Sequence, residues 1–249
     1  MDLNADLGEG FGTWRLGDDE ALLDLVTSAN VACGFHGGDP STMRRVCAAA
    51  AERGVAVGAQ VGYRDLAGFG RRYIAYAFTE LRDEVTYQLG ALDAFCRLFR
   101  TQVRYLKPHG ALYHAAAVEE SQAAALVAAV RGYDHELPIL CAPGSMLAQL
   151  AVGAGLRVVA EGFADRGYLP NGSLVPRTNP GALIADPEEV AARAVRMATE
   201  HTVVAVDGRV IPCQVESVCL HGDTPGAVAA AELVRAALLD AGVTPKPFA

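Results

Sequence analysis

The sequence predicts an α/β fold in which seven strands alternate with helices, and it favours a β/α barrel of the TIM type. Short apolar runs bounded by Gly, Pro or Asp alternate with helical patterns along the chain. The runs are continuous, as expected of parallel strands that helices cover on both faces. An open, doubly wound sheet has the same alternation, but no correctly spaced GxGxxG and no Walker A sequence is present. We therefore expect one barrel domain over residues 1–249.

Each predicted strand is followed by a predicted helix. The strands lie at 2–7, 30–35, 55–60, 103–107, 138–142, 156–161 and 217–220. The helices lie at 18–28, 41–53, 80–99, 119–131, 145–152, 187–201 and 225–241. Asp39-Pro40 is a cap followed by the proline that often opens a helix, and Gly54 ends that helix. Asp207-Gly208 between two alternating runs predicts a small inserted β-hairpin near 203–214.

Composition and charge exclude several classes of protein. The chain is 51% hydrophobic and 20% charged, which is typical of a globular protein with a large core. A net charge of −8 without a Lys/Arg cluster argues against a nucleic-acid or anionic-membrane partner. No apolar run is as long as a membrane span, and no signal peptide follows Met1, so we expect a cytoplasmic protein. The six scattered cysteines predict buried thiols rather than disulfides or a thiolate metal site.

Chemically active side chains follow almost every predicted strand. The carboxyl ends of parallel strands meet on one face of such folds, so these side chains are expected to share one site. In chain order the candidates are Asp6, Glu9, His36, Gln60, Lys107, His109, Tyr113, Glu161, Asp165, Arg166 and His221. The Gly-rich stretch "GFGRR" adds Arg71 and Arg72, which suit an anion.

Two similar stretches, "ACGFHGGDPS" and "VCLHGDTPG", follow the second and seventh strands. In a seven-stranded barrel both strands neighbour the first, so His36 and His221 would flank Asp6 across one mouth. Asp39 and Asp223 also suit helix N-caps, which would make part of each stretch structural.

Structural interpretations of the other candidates stay open. A histidine after a strand is often a cap or a core residue, and Lys107 before Pro108 is also compatible with a charge on the rim. Arg71 and Arg72 would equally suit a solvated face. Asp165 would be structural rather than catalytic if it formed an ion pair with Arg166 or Arg72. The number of acids, bases and cations at the strand ends favours a site.

The chain resembles the LamB/YcsF family over nearly its whole length. The stretches that carry the resemblance are "DLNADLGEGFG", "SANVACGFHGGDP", "LAGFGRR", "KPHGALYH", "EGFADRGY", "LVPR" and "CLHGD". The resemblance implies a seven-stranded β/α barrel related to sugar deacetylases and glycoside hydrolases. It also implies ATP-dependent opening of 5-oxo-L-proline to L-glutamate, with ATP and Mg²⁺ as co-substrate and with the B-type and C-type subunits of a 5-oxoprolinase as partners.

One position departs from the family pattern. Where the family commonly has "GAHPGY", this chain has "GAQVGY", so Gln60 replaces a histidine. Glutamine is a poor ligand for transition metals and cannot act as a general base. The replacement counts against a metal site built on that histidine.

The implied reaction assigns roles to the candidates. Proton transfer and charge stabilisation fall to Asp6, His36, Lys107, His109 and Asp165. Substrate or phosphate binding falls to Glu9, Gln60, Arg71, Arg72, Tyr113, Glu161, Arg166 and His221. Two alternatives remain: a stand-alone metal-dependent hydrolase that holds its ion with Asp6, His36 and His221, and a non-catalytic subunit that binds 5-oxoproline.

Overall fold

A closed barrel of seven parallel strands forms the centre of the computed structural model, which describes residues 1–223 and 226–249. Its strands are β1 (Asp2–Leu7), β2 (Ser28–Ala32), β3 (Ala56–Val61), β4 (Val103–Pro108), β5 (Ile139–Cys141), β6 (Val158–Phe163) and β9 (Ser217–His221). They pair in the order β1-β2-β3-β4-β5-β6-β9, and β9 closes on β1. The antiparallel pair β7 (Thr202–Val204) and β8 (Val210–Pro212) is the predicted hairpin. The predicted fold is thus confirmed.

Helices cover the outside of the barrel. They are α1 (Asp19–Leu23), α2 (Pro40–Arg53), α3 (Phe78–Leu98), α4 (Gly110–Val118), α5 (Glu120–Tyr133), α6 (Met146–Gly153), α7 (Pro187–Thr199) and α8 (Ala227–Asp240). Two expectations were wrong: α1 ends at Leu23 rather than 28, and the separate helix α4 was not foreseen. Asp39 caps α2 as predicted, whereas the predicted helix start at Pro225 lies outside the described residues. None of the helices described is long and apolar enough to cross a membrane.

The first strand alternates between two environments. Leu3, Ala5 and Leu7 belong to the large apolar cluster shared with the helices. Asp2, Asn4 and Asp6 alternate with them and are also buried. Successive side chains of a strand point to opposite faces, so this polar set lies inside the barrel. The barrel interior beside β1 is therefore polar and hydrogen-bonded, whereas the large apolar core lies between the strands and the helices.

Hydrogen bonds inside the barrel explain why β2 begins earlier than predicted. Ser28 Oγ donates to Asp2 Oδ1 at 2.7 Å, and Asn30 Nδ2 donates to Asn4 Oδ1 at 2.7 Å. The sequence pattern predicts a helix end at 28 and a strand start at 30, but both positions are inward-facing strand residues. The Tyr105 ring fills the space beside them. It packs against Gly58, where a Cβ would lie 2.1 Å from the ring, so the glycine leaves room for the tyrosine.

Candidate active site

The carboxyl ends of the barrel strands open into a cavity of about 680 Å³. Its lining includes candidates from strands β1, β4 and β9 and from the segments that follow β3, β4 and β6. The sequence-predicted residues in the lining are Asp6, Arg71, Lys107, His109, Tyr113, Arg166 and His221.

Lys107 is the centre of a buried charge cluster at the base of this cavity. Its Nζ lies 2.9 Å from Asp6 Oδ1 and 2.7 Å from Glu161 Oε1. The residue is only 2% exposed, so it is not a charge on the rim. It also donates to Cys219 Sγ at 3.1 Å and lies 5.4 Å from the centre of the Phe163 ring. One buried ammonium is therefore shared between two carboxylates.

The charge cluster shifts the pKa of each of its members. Burial opposes the charge on Lys107, but Asp6 and the other anionic neighbours outweigh it and raise the pKa of the ammonium well above its usual value. Burial also opposes ionisation of Asp6, yet the nearby Lys107 lowers the pKa of that carboxyl. Burial dominates at Glu161 and raises its pKa. Lys107 is thus permanently charged, and Glu161 is the carboxyl of the pair that takes a proton more readily.

Strand register explains why these side chains meet. β1 lies between β2 and β9, as predicted, and Asp6 is in register with Asn30 on one side and His221 on the other. Asn30 Nδ2 donates to Asp6 Oδ1 at 2.8 Å. Lys107 reaches Asp6 from β4, on the other side of the barrel. Pro108 comes next in the chain and keeps the backbone at Lys107 extended.

Asp165 and His221 form a second polar pair in the cavity wall. Asp165 Oδ2 accepts from the backbone N–H of His221 at 3.0 Å and lies 2.8 Å from His221 Nδ1. Since the carboxylate accepts, Nδ1 carries a proton, which leaves Nε2 as the ring nitrogen that is not bonded to Asp165. Burial opposes ionisation of Asp165, but the charge and hydrogen bonds of His221 lower the pKa of the acid. The predicted alternative, pairing of Asp165 with Arg166 or Arg72, is not what the structure shows.

A third group contains Glu9, Gln60, His36 and His109, and of these four His109 lines the cavity. Gln60 joins two of them, because its Nε2 donates to Glu9 Oε1 at 3.1 Å and its Oε1 lies 3.1 Å from His36 Nε2. The His36 and His109 rings stack at 3.9 Å. A Cβ on Gly62 would lie 2.5 Å from His36 Nδ1, so this glycine leaves the space that the ring occupies.

Burial favours the uncharged forms of the three titratable side chains in this group. Burial lowers the pKa of His36 to about 4, although the hydrogen bond with Gln60 acts in the opposite direction. Burial and then the charge of His36 lower the pKa of His109 well below its usual value. Burial and then the charge of Asp6 raise the pKa of Glu9 well above its usual value. Both imidazoles are thus neutral at physiological pH.

The stacked rings of His36 and His109 do not fit one shared metal ion. Ligand atoms of Glu9, His36 and His109 lie within 4.8 Å of one another, a group that shares only His36 with the predicted set of Asp6, His36 and His221. An imidazole binds a metal in its ring plane at about 2.0–2.1 Å. The two rings are stacked 3.9 Å apart and only 19° from parallel, so an ion bound to both would lie far outside at least one ring plane.

The predicted arginines have three different environments. Arg71 lines the cavity and pairs with Asp223 at 2.6 Å, so Asp223 is not the cap of α8; Gly226 precedes that helix instead. Arg72 has a side chain 68% exposed, pairs with Asp65, and does not line the cavity. Arg166 is buried and donates to backbone carbonyls.

Several residues of the site were not foreseen from the sequence. Asn30 supports Asp6, and the Phe163 ring stacks against His221 with centroids 5.7 Å apart. Arg177 and His114 line the outer cavity. The alternation of polar residues in "SANVA" was the available signal for Asn30, whereas Arg177 lies in a long loop where the sequence has no periodicity.

Comparison with known proteins gives consistent similarities over the full chain. The LamB/YcsF family model matches residues 1–249. The A subunit of a 5-oxoprolinase from Streptomyces avermitilis is 57% identical over 249 residues, which cover 100% of both chains. The crystal structure of a lactam utilization protein from Thermus thermophilus has a TM-score of 0.95 and 45% identity, covering 100% of this chain and 99% of that one. A family 4 carbohydrate esterase from Streptomyces lividans shares the fold alone, with a TM-score of 0.51, 11% identity, and coverage of 100% and 92%.

Proposed function

Since the chain belongs to the LamB/YcsF family, we propose that it is the 5-oxoprolinase component that opens the lactam of 5-oxo-L-proline to give L-glutamate. The names of its relatives, which are a 5-oxoprolinase subunit and a lactam utilization protein, support this substrate. The observation that carries the proposal is a buried ammonium and an Asp–His pair that open into one cavity.

Opening the lactam is a hydrolysis. Water adds to the carbonyl carbon, the C–N bond breaks, and the ring nitrogen receives a proton to become the amino group of glutamate. The reaction needs a base for the water, a positive group for the developing oxyanion, and an acid for the nitrogen.

His221 and Asp165 supply the proton transfers. The Nε2 lone pair of His221 takes a proton from the attacking water, and the resulting imidazolium donates it to the lactam nitrogen. Asp165 acts as a positioning residue, because its bonds to Nδ1 and to the backbone N–H fix both the tautomer and the ring direction.

Lys107 stabilises the oxyanion. Its ammonium is held in the charged state by Asp6 and Glu161, and it lines the cavity where a carbonyl oxygen can approach. Removing one such group in a dry site typically slows catalysis about a hundredfold to a thousandfold. Tyr113 lines the same cavity beside Glu161 and contacts the substrate.

ATP and Mg²⁺ enter the proposal as co-substrate of the assembled enzyme. An unstrained amide reacts slowly with water. Transfer of the γ-phosphoryl group of ATP to the amide oxygen, with ADP as the leaving group, makes the carbon more reactive, and inorganic phosphate leaves after water has added and the C–N bond has broken. The relative from Streptomyces avermitilis is named as one subunit of its enzyme, which supports an assembly with further subunits, and we propose that these are of the B and C types. A cytoplasmic location remains a prediction of the sequence.

The test is reconstitution with the two partner subunits. Glutamate release from 5-oxoproline is measured with ATP and each protein component omitted in turn, and after chelator treatment followed by restored Mg²⁺. We expect release only when all three proteins and ATP are present, and no lasting effect of the chelator. Release by this chain alone that the chelator abolishes would favour a metal-dependent hydrolase, and undiminished release without this chain would refute the proposal.

A further inference from the structure

A second set of basic side chains lines the cavity, apart from the Lys107 cluster. It consists of Arg166, Arg177 and His114. Arg166 follows β6, Arg177 lies in the loop between β6 and α7, and His114 lies on α4. Three separate elements therefore bring basic groups to one region of the wall.

Arg166 is a buried cation with no acidic partner. It is 2% exposed, and its Nε and Nη2 donate to the carbonyls of Ala182 and Val175 at 3.0 and 2.8 Å. These two bonds fasten the loop, but a guanidinium has five N–H donors, so others remain. Within residues 1–223 and 226–249, no carboxylate oxygen lies within 4.0 Å of its guanidinium nitrogens.

A buried guanidinium that makes no direct ion pair is unfavourable, because the group does not lose its proton in proteins, and the nearby charge of Asp165 compensates only in part. Its neighbours increase the excess of positive charge. Burial and then the charge of Arg177 lower the pKa of Arg166, and burial and then both arginines lower the pKa of His114. An anion that enters the cavity would relieve this repulsion.

We propose that Arg166, Arg177 and His114 form an oxyanion-binding subsite of the cavity. Carboxylates and phosphates are the anions that a guanidinium fork binds best. The choice between them rests on the proposed function: 5-oxoproline carries one carboxylate next to its ring nitrogen, and this group is the ligand. Arg166 and Arg177 hold the carboxylate while Lys107 faces the carbonyl, so the subsite selects acidic lactams over neutral ones.

The test measures ligand binding to the wild type and to variants of two arginines, one inside the proposed subsite and one outside it. Binding of 5-oxo-L-proline, of pyrrolidin-2-one, which is the same ring without the carboxylate, and of inorganic phosphate is measured by calorimetry or ligand-observed NMR on the full chain. The variant is Arg177→Gln, which spares the loop bonds of Arg166. The matched control is Arg209→Gln, in the exposed hairpin, where the side chain pairs with Asp207.

We expect Arg177→Gln to weaken binding of 5-oxoproline about tenfold or more and to leave pyrrolidin-2-one unchanged, while the control changes neither. If only phosphate binding falls, the oxyanion subsite stands and its ligand is a phosphoryl group. If neither anion is affected by Arg177→Gln or by the conservative Arg166→Lys, the subsite does not exist. The phosphate arm keeps this outcome separate from a failure of the proposed function, since it needs no lactam to bind.

Discussion

Replacing Lys107 with methionine is expected to impair both turnover and stability, because the ammonium is paired on two sides. Its Nζ lies 2.9 Å from Asp6 and 2.7 Å from Glu161. At an effective dielectric constant of about 20, each contact contributes about 6 kcal/mol of Coulomb attraction, and desolvation of the ammonium offsets several kcal/mol of the sum. Methionine has a similar length and no charge, so the variant leaves two buried carboxyls without a cation.

We expect the free energy of unfolding to fall by about 3–5 kcal/mol at pH 8. The loss should shrink on acidification. Burial opposes ionisation of Asp6, and Lys107 now holds its pKa below the usual value. That carboxylate therefore adds stability above its unfolded pKa. Without Lys107, both carboxyls would have raised pKa values, so they would destabilise the folded state increasingly as the pH rises above about 4.

The assay is urea unfolding of the wild type and the variant at pH 5 and pH 8, followed by circular dichroism, together with glutamate release by the complex. Glutamate release should fall about a hundredfold or more. The double variant Lys107→Met/Glu161→Gln should recover part of the lost stability but not the lost turnover. The reasoning is refuted if the variant loses less than about 1 kcal/mol at pH 8, or if the loss is the same at both pH values.

Three other substitutions test separate parts of the structure. Asp165→Asn should lower turnover about a hundredfold and change the pH profile of glutamate release, because the amide no longer fixes the Nδ1–H tautomer of His221; an unchanged profile would make Asp165 structural. Gly62→Ala should destabilise the fold by about 1–3 kcal/mol in urea, since its Cβ would lie 2.5 Å from His36 Nδ1; wild-type stability would show that His36 moves freely. Phe248→Ala should cost about 1–2 kcal/mol of stability and leave turnover intact, because its ring packs on Tyr105 inside the barrel; a loss of turnover at full stability would contradict this.

Strand order and the position of the site were predictable from local patterns. Each strand was found within a few residues, because buried parallel strands are short, apolar and bounded by Gly, Pro or Asp. The face that carries the site followed from the same pattern, since the strand ends hold the acids and bases. Helix α4 was not foreseen, because "GALYHAAAV" directly follows Pro108-His109 and has little amphipathic pattern.

How deeply each charged side chain is buried, and which residue it pairs with, were not predictable from the sequence. The sequence does not distinguish Arg71, which lines the cavity, from Arg72, which pairs with Asp65 on the surface. It also does not show that Lys107 is buried between two acids. Such pairings join residues far apart in the chain, and local periodicity contains no information about them.

Separation in the chain also explains the partner of Asp165. Its contact is His221, 56 residues further along the chain, whereas sequence reasoning offered its neighbour Arg166. Asp39 and Asp223 show the same limit: similar stretches predicted similar caps, but only Asp39 caps a helix, and Asp223 pairs with Arg71.

The central claim is that His221 carries the proton transfers of lactam opening. Its most direct test is the rate of glutamate release by the complex reconstituted with His221→Gln, measured beside Arg209→Gln and with assembly checked by gel filtration. Glutamine keeps a polar side chain near Asp165 but cannot take a proton, so we predict a rate about a hundredfold or more below wild type in a fully assembled complex. Release at close to the wild-type rate by the assembled His221→Gln complex would contradict the account.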